Sequence, residues 1–534
     1  MATASVAAPA PAAGPAPAAA WVEPAPLSGT ARLWGTVALS LATFMNVLDS
    51  SIANVSIPSI AGDLGVSPGQ GTWVITSFGV ANAISVPLTG WLTQRFGAVR
   101  LFTASVLLFV LSSWLCGLAH SLEMLIAGRV LQGLVAGPMI PLSQTLLMSS
   151  YPRSQSGKAL ALWGVTTLVA PVVGPLLGGW ITDNISWPWI FYINVPVGLG
   201  AAAVTWAIYK KRETPIRKLP IDTVGLALLV LWVASLQLML DKGKELDWFN
   251  SSEIVVLAVL AVVGFAVFVA WELTNDHPVV DLRLFASRNF AFGVLAISVG
   301  YGLFFGNLVL LPLWLQQWMG YTATAAGMAL APVGIFAILL TPLVGKKVTV
   351  WDPRWMATVA FLIFSLVLWM RSNFTTGTDF DHIMVPTIIQ GAALALFFIP
   401  LTTVTLAGLS PQRLPAAAGL SNFVRITAGA MGTSIATTLW ESRAAMHHAH
   451  LVEQLPASNN ALTEALGGLA GAGLPQAGAL AQINRLIDQQ AFTRAVDDIF
   501  LGSSLLFIAL IALIWLTRRP PKAPGAAVDV GGAH

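Results

Sequence analysis

Along most of this 534-residue chain, apolar residues do not alternate with polar ones. They run on for about 18 to 26 positions and then give way to short basic or polar turns. A hydrocarbon layer about 30 Å thick needs an apolar helix of about that length, because backbone N–H and C=O groups must be satisfied within the segment. The pattern predicts about fourteen spans, near 33–57, 70–93, 101–119, 123–148, 157–182, 188–208, 222–240, 253–272, 290–315, 322–345, 355–370, 382–408, 416–440 and 499–517. The expected fold class is an all-α polytopic membrane protein. The Ala/Pro-rich stretch 1–31 lacks the basic and apolar regions of a signal peptide and reads as a disordered tail, as does 520–534.

Composition agrees and excludes several functions. With 56% hydrophobic and 10% charged residues, the chain is far from the globular average, and a nucleic-acid partner is not expected. The single cysteine, Cys116, excludes an intrachain disulfide and a cysteine metal cluster. A phosphate-cradling glycine loop ending in Lys-Ser or Lys-Thr is absent, which argues against an ATP-driven pump, and the absence of His-Glu-x-x-His argues against a metalloprotease. The expectation is a non-enzyme without cofactor or metal, driven by an ion gradient. His447, His448 and His450 are close in sequence, but nearby carboxylates show no recognised ligand spacing, so a solvated turn is the expected reading.

Basic residues sort between alternate loops. About nineteen Lys and Arg fall in the termini and after even-numbered spans, including Arg32, Arg95, Arg100, Arg153, Lys158, Arg217, Lys218, Lys346, Lys347, Arg413 and Lys522. About six fall on the other side: Lys242, Lys244, Arg371, Arg443, Arg485 and Arg494. The positive-inside rule then places both termini in the cytoplasm.

Two basic residues, Arg129 and Arg425, remain inside spans, and one carboxylate, Asp49, sits within the first. Arg129 lies roughly 9 Å into the fourth span from its outer end, and Asp49 roughly 24 Å up from the cytoplasmic end of the first, so the two charges can meet at one depth. An ionisable group at such a depth is costly and reads as a working site for protons, ions or substrate. Proton arrival at Asp49 would release the arginine. The competing reading has Asp49 snorkelling to the outer interface and Arg129 tying helices together.

The chain also repeats itself. Pro87-Leu88-Thr89-Gly90 and a basic turn end the second span, and Pro342-Leu343-Val344-Gly345 with Lys346 and Lys347 ends the tenth. Gln132-Gly133 followed by Ile140-Pro141-Leu142 in the fourth span is echoed by Gln390-Gly391 and Ile399-Pro400-Leu401 in the twelfth. Parallel halves of this kind are the pattern of the major facilitator fold, with the binding site between two six-helix bundles. The division predicted is a first bundle over 32–212, two inserted helices within 213–280, and a second bundle over 281–519 that carries an outer loop at 441–498. Thr387 stands where the second half would match Arg129, which assigns ion coupling to the first half.

Leu48-Asp49-Ser50-Ser51-Ile52-Ala53-Asn54-Val55-Ser56-Ile57-Pro58 resembles the first-helix signature of the fourteen-span drug:proton antiporters of the major facilitator superfamily. Gly90-Trp91-Leu92-Thr93-Gln94-Arg95-Phe96-Gly97-Ala98-Val99-Arg100 resembles the superfamily's switch motif, with Gln94 where that pattern has an acidic residue. Arg129-Val130-Leu131-Gln132-Gly133 is similar to the fourth-helix proton-transfer signature. The stretch 170–179, with Pro171, Gly174, Pro175, Gly178 and Gly179, resembles the fifth-helix antiporter motif, whose small residues and prolines permit close packing and bending. Ser186 to Pro196, Gly243 to Phe249 and Ser421 to His448 resemble EmrB-type multidrug exporters.

That resemblance implies proton-coupled export of hydrophobic drugs and toxicants from the bacterial inner membrane, with an EmrA-type periplasmic adaptor and a TolC-type outer-membrane channel as partners. Phe44, Asn46, Trp73, Gln132, Trp163, Phe304, Trp314, Phe397, Asn422 and Arg425 are candidates for the cargo pocket, since aromatic and a few polar side chains suit an adaptable apolar cavity. The outer loop, with apolar clusters at 451–455, 461–469 and 480–487, is expected to form short amphipathic helices that pack on the transporter or an adaptor. Proton-driven transport of a metabolite or lipid-like molecule shares the fold, although the fifth-span motif argues against uptake. A non-transporting scaffold has no evident need for Asp49 and Arg129.

Overall fold

The computed structural model describes residues 25–520 except 67, 153–154, 217–219, 221, 244, 277, 322, 331, 349, 456–459 and 473. Arg153, Arg217, Lys218, Lys244 and Lys522 lie outside the described residues, as do 1–24 and 521–534 of the predicted tails. The predicted N-terminal tail runs too far. Helix α1 begins at Gly29, and the residues before it are held by Leu27 N–H donating to the Ser150 carbonyl (3.0 Å) and Arg212 Nη1 donating to that of Ala25 (2.6 Å).

Among the described residues, all regular structure is helical. Helix α1 is Gly29–Asp63, α2 Trp73–Phe96, α3 Ala98–Gly117, α4 Leu122–Ser150, α5 Ser156–Asn184 and α6 Trp189–Tyr209. An inserted pair follows, α7 Thr223–Lys242 and α8 Ser252–Thr274. Then come α9 Arg288–Gln317, the two-piece α10 (Ala323–Leu330 and Val333–Lys347), α11 Pro353–Arg371, α12 Phe380–Thr405, α13 Leu414–Glu453 and α14 Gln476–Trp515. Among the described residues, eleven helices are long and apolar enough to cross a membrane. The other three predicted spans fall on α5, the two-piece α10 and α13.

Local chemistry sets the helix starts. Ser121 accepts from Met124 N–H (3.3 Å) ahead of α4, and Asp222 accepts from Gly225 N–H (2.9 Å) ahead of α7, each satisfying a donor that the helix itself cannot. Asp352 caps α11 with Pro353 at the first position. Burial alone would raise the Asp352 carboxyl, but hydrogen bonds from Arg354 and the Arg519 charge outweigh it and hold the group below its ordinary range.

The predicted internal repeat is visible in the packing. Helix α1 lies on α5 as α9 lies on α13, α2 on α4 as α10 on α12, α3 on α4 as α11 on α12, and α3 on α6 as α11 on α14. The interior of the second bundle is aromatic, with Phe364 stacked on Phe507 at 4.7 Å between centroids and packed against Phe361 and Phe397. That of the first bundle holds Phe102, Phe109 and Met139.

The halves touch at the ends of the bundle that carry the basic turns and the termini. A Cβ on Gly90 of α2 would lie 2.6 Å from the Ala416 Cβ of α13, and one on Gly419 would lie 3.1 Å from the Val86 carbonyl oxygen. Gly157 of α5 and Gly345 of α10 meet backbone to backbone, next to a cluster of Leu160, Ala161, Val344, Val348, Ala395 and Ile399 drawn from both halves. Small residues here let the two bundles close without a gap.

The largest departure from the sequence reading concerns 441–498. Rather than a loop with short helices, α13 continues to Glu453, α14 starts at Gln476, and Asn460–Gly471 is a separate short helix. Cross-links between the two long helices explain the extension. Trp440 Nε1 donates to the Phe492 carbonyl (2.9 Å), His447 meets Asp498 (2.9 Å) and His448 meets Asp488 (2.6 Å), so these histidines are paired across the hairpin rather than solvated.

A leucine at Gly157 is expected to hold the basic face apart. Overpacking of roughly 1–3 kcal/mol shifts such an equilibrium about 5- to 150-fold. Spin-label distances between the basic-face ends of α2 and α13 should lengthen in Gly157→Leu relative to the parent, and an unchanged distance distribution would contradict the assignment of this contact as the closure.

Candidate functional site

Asp49 lies near the middle of α1 with no exposed side-chain surface, and Arg129 of α4 is equally buried. Arg129 Nη1 donates to Asp49 Oδ2 at 2.6 Å. Two amides complete the carboxylate's shell: Gln132 Nε2 donates to Oδ1 at 3.0 Å, and Asn194 Nδ2 of α6 donates to the same oxygen at 2.8 Å. The pair predicted from depth is thus in contact, and Asp49 turns inward rather than to the outer interface.

The arginine is held in turn. Its Nε donates to the Val74 carbonyl of α2 (3.0 Å), Nη1 also donates to Gln132 Oε1 (2.7 Å), and its guanidinium carbon sits 4.2 Å from the Phe78 ring centroid and 5.7 Å from that of Phe191. The aromatic faces give the cation a partner where Nη2 has no hydrogen bond. Asn194 is aimed by a second bond to Ser113 Oγ of α3 (3.0 Å), which itself donates to the Phe191 carbonyl (2.9 Å). Removing two charges from water costs several kcal/mol per ion, and loss of one partner from such a pair typically costs about 3–5 kcal/mol.

The antiporter motif presses on α1 beside this site. Gly174 packs against Ser51 and Gly178 against Ile52, and Ser51 Oγ donates to the Ala170 carbonyl at 3.4 Å. Gly179 is half-buried, and the side chains of Pro171 and Pro175 lie outside the described residues.

In the switch motif, Gly90 makes the contact with α13 already described, Gln94 and Arg95 are half-buried, and Arg100 is exposed. Gly97 takes a positive φ of 87° that brings the start of α3 onto Glu213, beyond the end of α6. The Glu213 carboxylate accepts from Val99 N–H (3.0 Å) and Arg100 N–H (2.9 Å) and lies 3.9 Å from Arg100 Nε. A carboxylate on the positive end of a helix is favourable, so Glu213 supplies an acid to a motif that carries Gln94.

The pocket candidates separate into groups. Arg425, Asn422 and Trp163 meet between the halves: the Arg425 guanidinium carbon lies 5.5 Å from the Trp163 ring, 5.2 Å from Tyr301 and 5.7 Å from Phe398. Arg425 Nη2 donates to Asn422 Oδ1, and Asn422 Nδ2 donates to Gln144 Oε1 of α4 at 3.3 Å. From this cage, Trp163 Nε1 donates to Ser143 Oγ (3.2 Å) and Thr43 donates to the same oxygen (2.7 Å), reaching the helix of Asp49. Gln132 belongs instead to the charged cluster, and Asn46 donates to the Ala136 carbonyl (3.1 Å), tying α1 to α4. Trp314 donates to Thr493 (3.0 Å) within the second bundle's interior, where Phe304 and Phe397 also pack. Phe44 is half-buried, and Trp73 lies under the Lys242 ammonium at 5.4 Å.

Sequence reasoning missed Asn194, Glu213, Tyr301 and the inward turn of Arg371. Counted among the outer-loop charges, Arg371 is the last residue of α11, is 1% exposed, and donates to Thr387 Oγ1 (3.0 Å) and Gln390 Oε1 (2.8 Å) of the second bundle. Its position at the end of an apolar run gave no sign of the direction it takes. Among the described residues, no group of three or more His, Cys, Asp or Glu is placed to hold a metal ion.

Comparison with known proteins accords with this arrangement. The sequence model of the Major Facilitator Superfamily matches residues 39–433. The chain is 51% identical over 510 residues to the multidrug export protein EmrB of Escherichia coli, covering 95% of this chain and 99% of that one. It is 48% identical over 509 residues to the fatty acid resistance protein FarB of Neisseria gonorrhoeae, covering 95% and 99%. The crystal structure of the human organic anion transporter MFSD10 (TETRAN) matches 91% of this chain and 100% of its own at a TM-score of 0.58 and 12% identity, a likeness of fold alone. A membrane bundle with an internal eight-helix offset, a buried acid–arginine pair in its first half and this degree of identity together show that the chain belongs to the major facilitator superfamily and, within it, to the EmrB-type multidrug export proteins.

Proposed function

We propose that this chain is a proton-coupled antiporter that exports hydrophobic drugs and toxicants, with Asp49 as the proton carrier and Arg129 as its counter-ion. The observation that carries the reading is the convergence of three donors, Arg129, Gln132 and Asn194, on one fully buried carboxylate. Hydrogen bonds to a charged group contribute about 1.5–3 kcal/mol each. Neutralising Asp49 weakens all three at once, a change comparable to the few kcal/mol that separate two conformations of a protein. The acid would take its proton from outside and lose it inside, with drug moving the other way.

Cargo is assigned to the cage of Trp163, Tyr301, Phe398 and Arg425. Aromatic faces contributed by both halves suit a planar or lipophilic molecule, and Arg425 suits an acidic group on an amphiphile, a class present in the name of the FarB relative. The excess of basic residues on the face that carries the termini supports a cytoplasmic location for both, and hence a cytoplasmic side that is closed in this conformation. The host membrane is taken as a bacterial inner membrane, and the proton gradient serves in place of a cofactor.

Proteoliposomes loaded with a fluorescent lipophilic dye test the coupling. Asp49→Asn is expected to cut pH-driven dye movement at least about a hundredfold, the loss of roughly 3 kcal/mol of coupling, while the protein stays folded in the membrane. Arg129→Ala should impair transport and shift its pH profile, with Arg129→Lys restoring only part because lysine lacks the planar fork of donors. Full coupled transport by Asp49→Asn would remove it from the proton path.

Export across two membranes calls for a docking surface, and the outer hairpin of α13, Asn460–Gly471 and α14 is the element that extends beyond the membrane. It is assigned to an EmrA-type periplasmic adaptor, itself joined to a TolC-type channel, and exposed Leu480 and Leu486 supply apolar contact area. Deleting 456–478 is expected to reduce adaptor co-purification and cellular drug resistance while dye transport by the isolated protein survives. Intact adaptor binding with lost liposome transport would place the hairpin in the translocation path instead.

A further inference from the structure

The inserted pair α7–α8 enters the chain between the halves, but its contacts are unequal. Helix α7 is fastened to α2 of the first bundle at three heights. At the outer end, the Lys242 ammonium sits over Trp73 (5.4 Å) and donates to Thr72 Oγ1 at 3.4 Å, while Asp241 accepts from Thr76 and from Gln237 (3.1 Å). Midway, Gln237 Nε2 lies 4.0 Å from where Gly79 would carry a Cβ. At the basic face, Trp91 Nε1 of α2 donates to the Pro220 carbonyl just ahead of α7, at 3.4 Å. From Trp73 to Trp91 is about 27 Å of helix, nearly the thickness of the hydrocarbon layer.

Toward the second bundle, α7 meets α13 through neutral contacts. Trp232 packs edge-on against Phe423 with centroids 5.7 Å apart, and Ser434 Oγ donates to the Leu240 carbonyl at 3.1 Å. A ring on a ring and one hydroxyl on one carbonyl can be exchanged for equivalent contacts one turn along, whereas the ammonium and carboxylate contacts of Lys242 and Asp241 on the α2 side are specific in position. The connection after α8 bridges the inserted pair and the second bundle: Val280 N–H donates to Glu272 of α8 (3.1 Å), Val279, Val280 and Leu284 share a cluster with Phe268, Phe290 and Leu406, and Arg413 pairs with Asp281 at 2.6 Å. Motion between the halves must therefore be taken up at the α7–α13 contact and in the segment after α8.

We propose that α7 is a fixed side wall of the first bundle, riding with α2 while α13 slides along its other face, so that the inserted pair keeps the α2–α13 seam closed to lipid as the halves rock. The inference rests on the transporter reading for its rocking motion, but its primary test measures distance and does not need transport. Spin labels at Gln70→Cys, just ahead of α2, and at Glu245→Cys, just beyond α7, report the first bundle against α7, and labels at Glu245→Cys and Ser442→Cys report α7 against α13. Between low and high pH, or with and without a lipophilic dye, the first distance should stay constant while the second changes by about 5 Å, the scale of a one-turn slip. A change in the first pair, or no change in the second, overturns the proposal.

Reversible cross-linking gives a second readout in proteoliposomes. A short bis-thiosulfonate joining Gly79→Cys to Gln237→Cys should leave dye transport within about twofold, whereas one joining Leu240→Cys to Ser434→Cys should block it at least about tenfold, the scale of a one-step loss of coupling, until reductant is added. Equal effects of the two tethers, or block by the first alone, contradict the side-wall role. Each variant before cross-linking is its own control, and absence of dye transport there would count against the transporter reading while the label distances still decide the position of α7.

Discussion

A carboxylate with no exposed surface, set midway along an apolar helix, constrains everything around it. Burying Asp49 there costs desolvation, and the contacts that offset that cost or pack beside it draw on every helix of the first bundle. Helix α4 supplies Arg129 and Gln132 and α6 supplies Asn194, while α2 orients the arginine through the Val74 carbonyl and α3 orients the asparagine through Ser113. The glycines of α5 press on Ser51 and Ile52 of the same helix. A change of charge at one oxygen pair would therefore reach six helices, the arrangement that the proposed rigid-body response to a proton needs.

The second bundle repeats the packing without the acid. Asn307 of α9 stands at a place comparable to Asp49 and donates to Ser503 Oγ (3.0 Å), Gln390 repeats Gln132, and Thr387 occupies the position of Arg129. The cation in this half comes instead from the end of α11, where Arg371 bonds to neutral Thr387 and Gln390. A neutral amide and a permanently charged guanidinium form a polar cluster that does not change charge near neutral pH. The repeat thus supplies one half with a buried acid–arginine pair and one with a neutral counterpart, with the Arg425 cage between them.

Much of this was legible in the residues, for identifiable reasons. Apolar run length marks a membrane helix because the bilayer sets that length, and counting residues from each face sufficed to pair Asp49 with Arg129 across eighty positions of chain. The repeated Gln-Gly and Pro-Leu elements disclosed the eight-helix offset. Side-chain direction was the obscure part. An Arg at the end of a run reads as a loop charge until it is seen to turn inward, as Arg371 does, and Glu213 looks like any solvated acid until Gly97 brings α3 onto it. Aromatic residues gave no facial information because the helices are apolar on all sides, so Trp163 at the interface and Trp314 in an interior were indistinguishable. The hairpin of α13 and α14 was hidden because its hydropathy falls where the membrane ends, although the helices do not.

The central claim is that one proton on Asp49 is exchanged against cargo. Its most direct measurement is proton release from the purified protein in weakly buffered detergent solution when a lipophilic drug is added, followed with a pH-sensitive dye. The account predicts release by the parent protein that disappears in Asp49→Asn while drug binding persists. Equal release by the parent and by Asp49→Asn would contradict it, because the titrating group would then lie elsewhere.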